Sequence, residues 1–191
     1  MHYLEQIKIL LDSIEISGSK EQYDYDVGIK RIVEILKRAK LEKKTLYICG
    51  NGGSAGIAQH MTADFLKNGG LRTYSMFGQP TMTCISNDLT YDYVFCKQLE
   101  LMANKGDVLI AISSSGKSEN IIKAINMMHN MGGEIITFSG FNCSNKVRSL
   151  GDMNVYVPME HYGIVESIHS LVLQQLVDII VEEDGIAMRL E

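Results

Sequence analysis

Apolar residues in the first forty positions recur at helical spacing. Leu4, Ile7, Leu11 and Ile14 form one stripe, and Ile29, Ile32, Val33 and Leu36 form another after the polar stretch from Gly18 to Gln22. The pattern predicts two amphipathic helices ahead of anything sheet-like. At Thr45 the period changes. Leu46-Tyr47-Ile48-Cys49 is a short apolar run that ends in Gly50-Asn51-Gly52-Gly53-Ser54, and helical spacing follows from about Ser54 to Lys67. The same unit returns as Val108 to Ile112, then Ser113-Ser114-Ser115-Gly116-Lys117-Ser118, then a helix from about Glu119 to Met131. Ile135 to Phe138 and Val155 to Val157 read as further strands. Ile168, Val172, Leu176 and Ile179 mark one side of a closing helix that runs roughly from Ile164 to Glu183. Strands alternating with helices predict an α/β fold, with a mostly parallel sheet covered by helices on both faces.

Composition narrows the class. With 191 residues, 46% of them hydrophobic, the chain can bury a full core as one domain. Lys and Arg number 18 against 23 Asp and Glu, a formal charge of -5, so no general attraction draws the chain to nucleic acid or to an anionic membrane surface. The opening MHYLEQIKILLDS mixes charged with apolar residues and does not read as a signal peptide, and no later run reads as a transmembrane span. Cys49, Cys84, Cys96 and Cys143 show no paired spacing. They are expected as reduced, buried thiols in a cytoplasmic protein.

Both small-residue loops sit where a strand hands over to a helix, where open α/β sheets bind ligands and free backbone N–H groups attract anions. Ser113, Ser114, Ser115 and Ser118 concentrate hydroxyls at one point, which suits a phosphate. Taken singly, either loop could equally be a tight turn or a capped helix start. Two look-alikes fail. Gly50-x-Gly52-x-x-Ala55 mimics a dinucleotide fingerprint, but Leu71 to Met76 carries no acid for a ribose. Gly116-Lys117-Ser118 mimics the end of a triphosphate loop, but Ala111 stands where that loop needs Gly. No nucleotide cofactor is expected.

With ICGNGGSAGIAQH at 48 to 60 and AISSSGKSENIIKAI at 111 to 125, the chain resembles the sugar-isomerase (SIS) domains, in particular the phosphoheptose isomerases. Asn87-Asp88 after a short helical segment and the closing VESIHSLVLQQLVDII extend the likeness over most of residues 1 to 183. The resemblance implies a single SIS domain over 1–191, with residues 1–40 as a helical oligomerisation segment and 41–191 as the sugar-phosphate-binding core. It implies a homotetramer whose N-terminal helices bundle together and whose sites form between subunits. Two helices ahead of a sheet could instead cover their own domain. By position, the resemblance puts Asn51, Gly52, Gly53 and Ser54 against the sugar or its phosphate, Ser113, Ser114, Ser115 and Ser118 on the phosphate, and Asn87 and Asp88 on the substrate.

Interconverting a ketose and an aldose needs a base to move a proton between neighbouring carbons and a group to handle the oxygens. His60 and Asp64 stand four apart on one helix face, able to share a metal ion or a substrate, though such pairs are also common structural ion pairs. The family usually has Glu where this chain has Asp64, one methylene shorter. Glu166 takes the position of a family Gln that touches substrate and metal, and Gln174 that of the catalytic His. Gln exchanges no proton at neutral pH, so Gln174 can orient but cannot act as acid or base. Asp64 is therefore expected as the principal base and Glu166 as a second catalytic group. His60, Asp64, Glu166 and Gln174 form a candidate site for zinc or another divalent metal. His161 is a loop candidate for proton transfer that more often would have no role, and His169 matches a non-catalytic family His.

The expected function is thus isomerisation of sedoheptulose 7-phosphate to glycero-manno-heptose 7-phosphate for bacterial surface polysaccharide. Loss of the catalytic His position keeps a second class open, a non-catalytic sugar-phosphate-binding regulator or protein-binding tetramer.

Overall fold

The computed structural model describes residues 2–19 and 21–185, so the ends of the expected domain, residue 1 and residues 186–191, lie outside the described residues. The apolar runs become strands β3 (Thr45–Gly50), β4 (Arg72–Ser75), β5 (Val108–Ser113), β6 (Glu134–Gly140) and β7 (Met153–Val157), which pair with one another in parallel. Near-continuous apolar strands such as VLIAIS in β5 are what a sheet buried on both faces requires. Side chains alternate between two cores. Leu46, Ile48, Val108, Ile110, Ile136 and Phe138 face one layer, filled by helices α2 (Tyr25–Leu41), α3 (Gly53–Lys67) and α7 (Tyr162–Glu183). Tyr47, Cys49, Leu109, Ala111 and Ile135 face the other, filled chiefly by α5 (Cys96–Met102) and α6 (Glu119–Met131). The α/β sandwich expected from the alternation of elements is the observed architecture.

The start of the chain departs from expectation. Helix α1 (Tyr3–Leu11) ends before Ile14, and β1 (Glu15–Gly18) and β2 (Gln22–Tyr23) stand between it and α2. The sheet therefore has seven strands in the order β2-β1-β7-β6-β5-β3-β4, with β1 antiparallel to β7. Only Ile16 of β1 is fully buried, and one apolar position in four residues leaves no period to read. What makes β1 a strand is the free edge of β7, where Ile16 pairs with Val155. Its cost is visible in α2: a Cβ at Gly28 would run into the Ile16 side chain, which accounts for a glycine inside a helix at about 1 kcal/mol relative to Ala.

Helix α2 buries Ile29, Ile32, Val33 and Leu36 against its own domain. On α1, Tyr3, Leu4 and Ile9 are exposed. Helix α7 is long and apolar enough to cross a membrane by length and composition, contrary to the expectation that no run reaches that mark. Ile164, Ile168, Val172, Leu173, Leu176 and Ile180 are all buried on it, so it is a core helix. Cys84 and Cys143 are exposed rather than buried, because each lies outside the strands and helices' inward faces, whereas Cys49 and Cys96 are buried as expected.

Candidate active site

Strands β3 and β5 are neighbours, with Gly50 opposite Ile112, so the two loops that follow them emerge side by side. From β3 the chain steps outward to β4, and from β5 it steps the other way to β6 and β7. A reversal of this kind opens a crevice at the carboxyl ends of the strands. A cleft of about 380 Å³ fills it, lined by Asn51, Gly52, Gly53 and Ser54 from the first loop, by Ser113, Ser114, Ser115 and Ser118 from the second, and by Tyr162 and Glu166 from α7. All four serines singled out in the sequence are thus in one wall. Ser114 Oγ is buried and has no hydrogen-bond partner. An orphan buried hydroxyl is costly unless something supplies its partner, which makes Ser114 a candidate ligand contact.

In the same cleft, the Glu166 carboxylate lies directly on Gly53: a Cβ there would overlap it. The backbone N–H of Ser54, in the first turn of α3, is close enough to favour the ionised carboxylate. Burial pushes the Glu166 carboxyl above the ordinary carboxylate range, and the Ser54 N–H opposes the shift only in part. Glu166 is the one carboxylate among the cleft-lining residues.

The Asn51 side chain is occupied by protein. Its Oδ1 accepts from Asn120 Nδ2 at 2.9 Å and from Tyr91 Oη at 2.8 Å, and its Nδ2 donates to Asn120 Oδ1 at 2.9 Å. Asn120 is buried in the first turn of α6, and Tyr91 is exposed in a 3-10 turn, Tyr91–Tyr93, after α4 (Gln79–Asp88). Sequence reasoning singled out neither of them, nor Tyr162. Asn120 carried a signal in its place, two residues past Ser118 at the start of the helix; Tyr91 carried none. Asn87 and Asp88 do not line this cleft. Both are exposed at the end of α4, where Asn87 Nδ2 donates to Asp88 Oδ1 at 2.9 Å.

His60, Asp64 and Gln174 do come together, but elsewhere. Asp64 Oδ2 receives Gln174 Nε2 at 2.8 Å and lies 3.1 Å from His60 Nε2, while Asn68 Nδ2 reaches Oδ1 at 3.2 Å. Asp64, at the centre of this cluster, is eleven residues along α3 from Gly53, about 16 Å at the helical rise. Glu166, seated on Gly53, is correspondingly remote from Asp64. The expected four-residue metal set is therefore not assembled: among the described residues no three His, Cys, Asp or Glu side chains converge. One imidazole, one carboxylate and a weakly ligating amide do not fit zinc, which takes at least three firm protein donors in catalytic sites.

His169 is fully buried, with Nε2 donating to the Ser139 carbonyl at 3.0 Å, and burial lowers its pKa to about 4. It is a neutral structural histidine that ties α7 to β6. His161 is exposed immediately before α7 and packs edge-on to the Tyr3 ring, outside the cleft.

A cleft at a sheet reversal, walled by a serine loop and a glycine loop, places the chain among the α/β proteins with a ligand crevice at the carboxyl ends of their strands, and the chain belongs to the SIS domain family, whose model matches residues 2–140. Phosphoheptose isomerase from Helicobacter hepaticus is 34% identical over 176 residues, covering 89% of each chain. The structure of phosphoheptose isomerase from Neisseria gonorrhoeae superposes with a TM-score of 0.73 at 27% identity, over 80% of this chain and 84% of that one. A phosphoheptose isomerase from Francisella tularensis shares the fold at a TM-score of 0.77 and 24% identity, over 95% of this chain and 100% of that one. The resemblance seen in the two loop motifs thus extends over most of the chain.

Proposed function

We propose that the chain is a ketose–aldose isomerase that converts sedoheptulose 7-phosphate to glycero-manno-heptose 7-phosphate, supplying heptose for bacterial surface polysaccharide. The observation that carries this reading is the cleft itself, where a serine loop with an unpartnered buried hydroxyl faces a carboxylate raised by burial. Relatives of that name at about a third identity over nearly the full length support the choice of reaction.

In this reading Ser113, Ser114, Ser115 and Ser118, with the N–H groups opening α6, hold the phosphate. The sugar's reacting end then lies toward Gly53, Ser54 and Glu166. Glu166 removes a proton from C1 of the ketose, the C–H electrons enter the C1–C2 bond, and the C2 carbonyl oxygen takes up the charge as an enediolate. Transfer of the O1 proton to O2, with return of the carbon proton from Glu166 to C2, completes the aldose and restores the carboxylate. A carboxyl raised toward neutrality suits both halves of that transfer. Asp64 is the second candidate for the base, with His60 and Gln174 orienting it. Because Gln174 holds Asp64 through an amide, this alternative needs further groups, which a neighbouring subunit would supply. No step runs through a metal.

The same reading includes a homotetramer in the cytoplasm, organised as one domain with residues 1–40 at the subunit contacts and the sugar site within 41–191. Exposed Tyr3, Leu4 and Ile9 on α1 and Leu171 on α7 support such contacts, and the unpaired cysteines suit a reducing compartment. One observation favours a non-catalytic binder instead: the Gln174 amide fills the place beside Asp64 where a proton-exchanging group would serve.

Proton NMR of the protein with sedoheptulose 7-phosphate in heavy water, with and without zinc, separates the two. Aldose product with deuterium at the carbon next to the new carbonyl supports the isomerase. Phosphosugar binding without product or exchange sinks it and leaves the binder.

A further inference from the structure

We infer that Tyr91 and Asn120 are positioning residues that hold the Asn51 amide as a single hydrogen-bond donor aimed into the cleft, where it meets the substrate oxygen that becomes negative. The inference rests on the isomerase reading above and adds to it a group that handles the oxygens, which the Glu166 carboxylate alone does not do.

The argument is one of counting donors and acceptors. An amide oxygen has two lone pairs, and an amide nitrogen has two hydrogens. Both lone pairs of Asn51 Oδ1 are taken, one by Asn120 Nδ2 and one by the Tyr91 hydroxyl. One Nδ2 hydrogen goes to Asn120 Oδ1. The side chain can offer a ligand only the remaining N–H, and Asn51 lines the cleft. A donor of that kind stabilises an oxygen on which charge develops, and it does so best when it cannot reorient. Asn51 is locked in this way from two sides. Asn120 is 3% exposed and belongs to the first turn of the helix that follows the serine loop, so the amide pair also joins the glycine loop to the serine loop. Tyr91 comes from a separate segment, which is anchored on α6 where Lys123 Nζ stands 4.9 Å from the centre of the Tyr93 ring. Without the Tyr91 hydroxyl, one lone pair of Oδ1 is free, and the Asn51 amide can turn to offer oxygen instead of N–H.

The test combines kinetics with the side-chain amide signals of Asn51 in ¹H–¹⁵N spectra. In Tyr91→Phe, kcat should fall about tenfold with KM for sedoheptulose 7-phosphate within about twofold of wild type, because binding is kept and only transition-state contact is lost. Asn120→Asp keeps an acceptor for Asn51 Nδ2 and loses the donor to Oδ1, so it should lie between Tyr91→Phe and Asn120→Ala, whose kcat should fall about a hundredfold. Inorganic phosphate should bind Tyr91→Phe as it binds wild type. In wild type, sedoheptulose 7-phosphate should move one of the two Asn51 amide protons, and inorganic phosphate should move neither. Unchanged kcat in folded Tyr91→Phe overturns the assignment, as does an Asn51 amide that stays still while the serine-loop resonances shift. If wild type itself shows no turnover, the isomerase reading has failed, and the amide signals alone decide whether the donor points at the sugar.

Discussion

The cleft at the sheet reversal and the Asp64 cluster lie on the same pair of helices, α3 and α7, yet they are built in opposite ways. In the cleft, polar groups are left wanting partners: Ser114 Oγ has none, and the Glu166 carboxyl is lifted by burial with one backbone N–H against it. At Asp64 both oxygens are satisfied by the protein, from His60, Gln174 and Asn68. Unmet hydrogen-bonding capacity marks where a ligand completes the structure, and a satisfied cluster marks where the fold completes itself. Position in the family points to Asp64, and local chemistry points to Glu166.

The largest effect expected is on turnover. Glu166→Gln should lower kcat about a thousandfold while inorganic phosphate still binds within a few fold, and Asp64→Asn should cost about tenfold. Rates from the NMR assay decide it; the reverse order would move the reacting centre to the cluster. The pH profile gives the same comparison without mutation. A base must be ionised to act, so kcat/KM falls as pH drops through its pKa. Because burial raises that of Glu166, the acid limb should lie above the ordinary Glu value of about 4.3. A limb at or below that value would argue against Glu166.

Ser114→Ala should raise KM and weaken inorganic phosphate binding by about tenfold with little change in kcat, since it removes a binding hydroxyl that the free protein leaves unpaired. Titration of phosphate by calorimetry measures it, and full affinity in the variant would place the phosphate elsewhere.

His169 bears on both regions, because its bond to Ser139 fixes the helix that carries Glu166 and Gln174. Its folded pKa of about 4 lies below the unfolded value of about 6.5, so the unfolded chain binds the extra proton between those values. The contribution is therefore complete above pH 6.5 and is lost as pH falls toward 4, on the order of a few kcal/mol in all. Urea unfolding across that window should show the slope in wild type and a flatter curve in His169→Gln; equal slopes would mean His169 is not the group responsible. The smallest effect expected is that of Gln174→His, which should change kcat by less than about twofold if the cleft is the reacting centre. A clear gain would restore the cluster to that role.

Much of the frame was legible because it depends on short-range pattern. Runs of four and five apolar residues ending in small-residue loops marked β3 and β5, and the serine content of the second loop set it apart as a candidate anion site. What escaped was set by partners distant in the chain. The strand β1 exists because β7 offers an edge and Gly28 leaves room for Ile16. Asn51 was legible as a candidate, and it does line the cleft, but which of its amide groups is left free depends on Asn120 and Tyr91, which no spacing connects to it. The sequence by itself determined the α/β class, the two loops and the family, because local periodicity and loop composition are properties of contiguous residues. Only the tertiary structure decided that Glu166 meets Gly53 while Asp64 meets Gln174, because the register between two packed helices follows from how their side chains interlock, and neither helix encodes that alone.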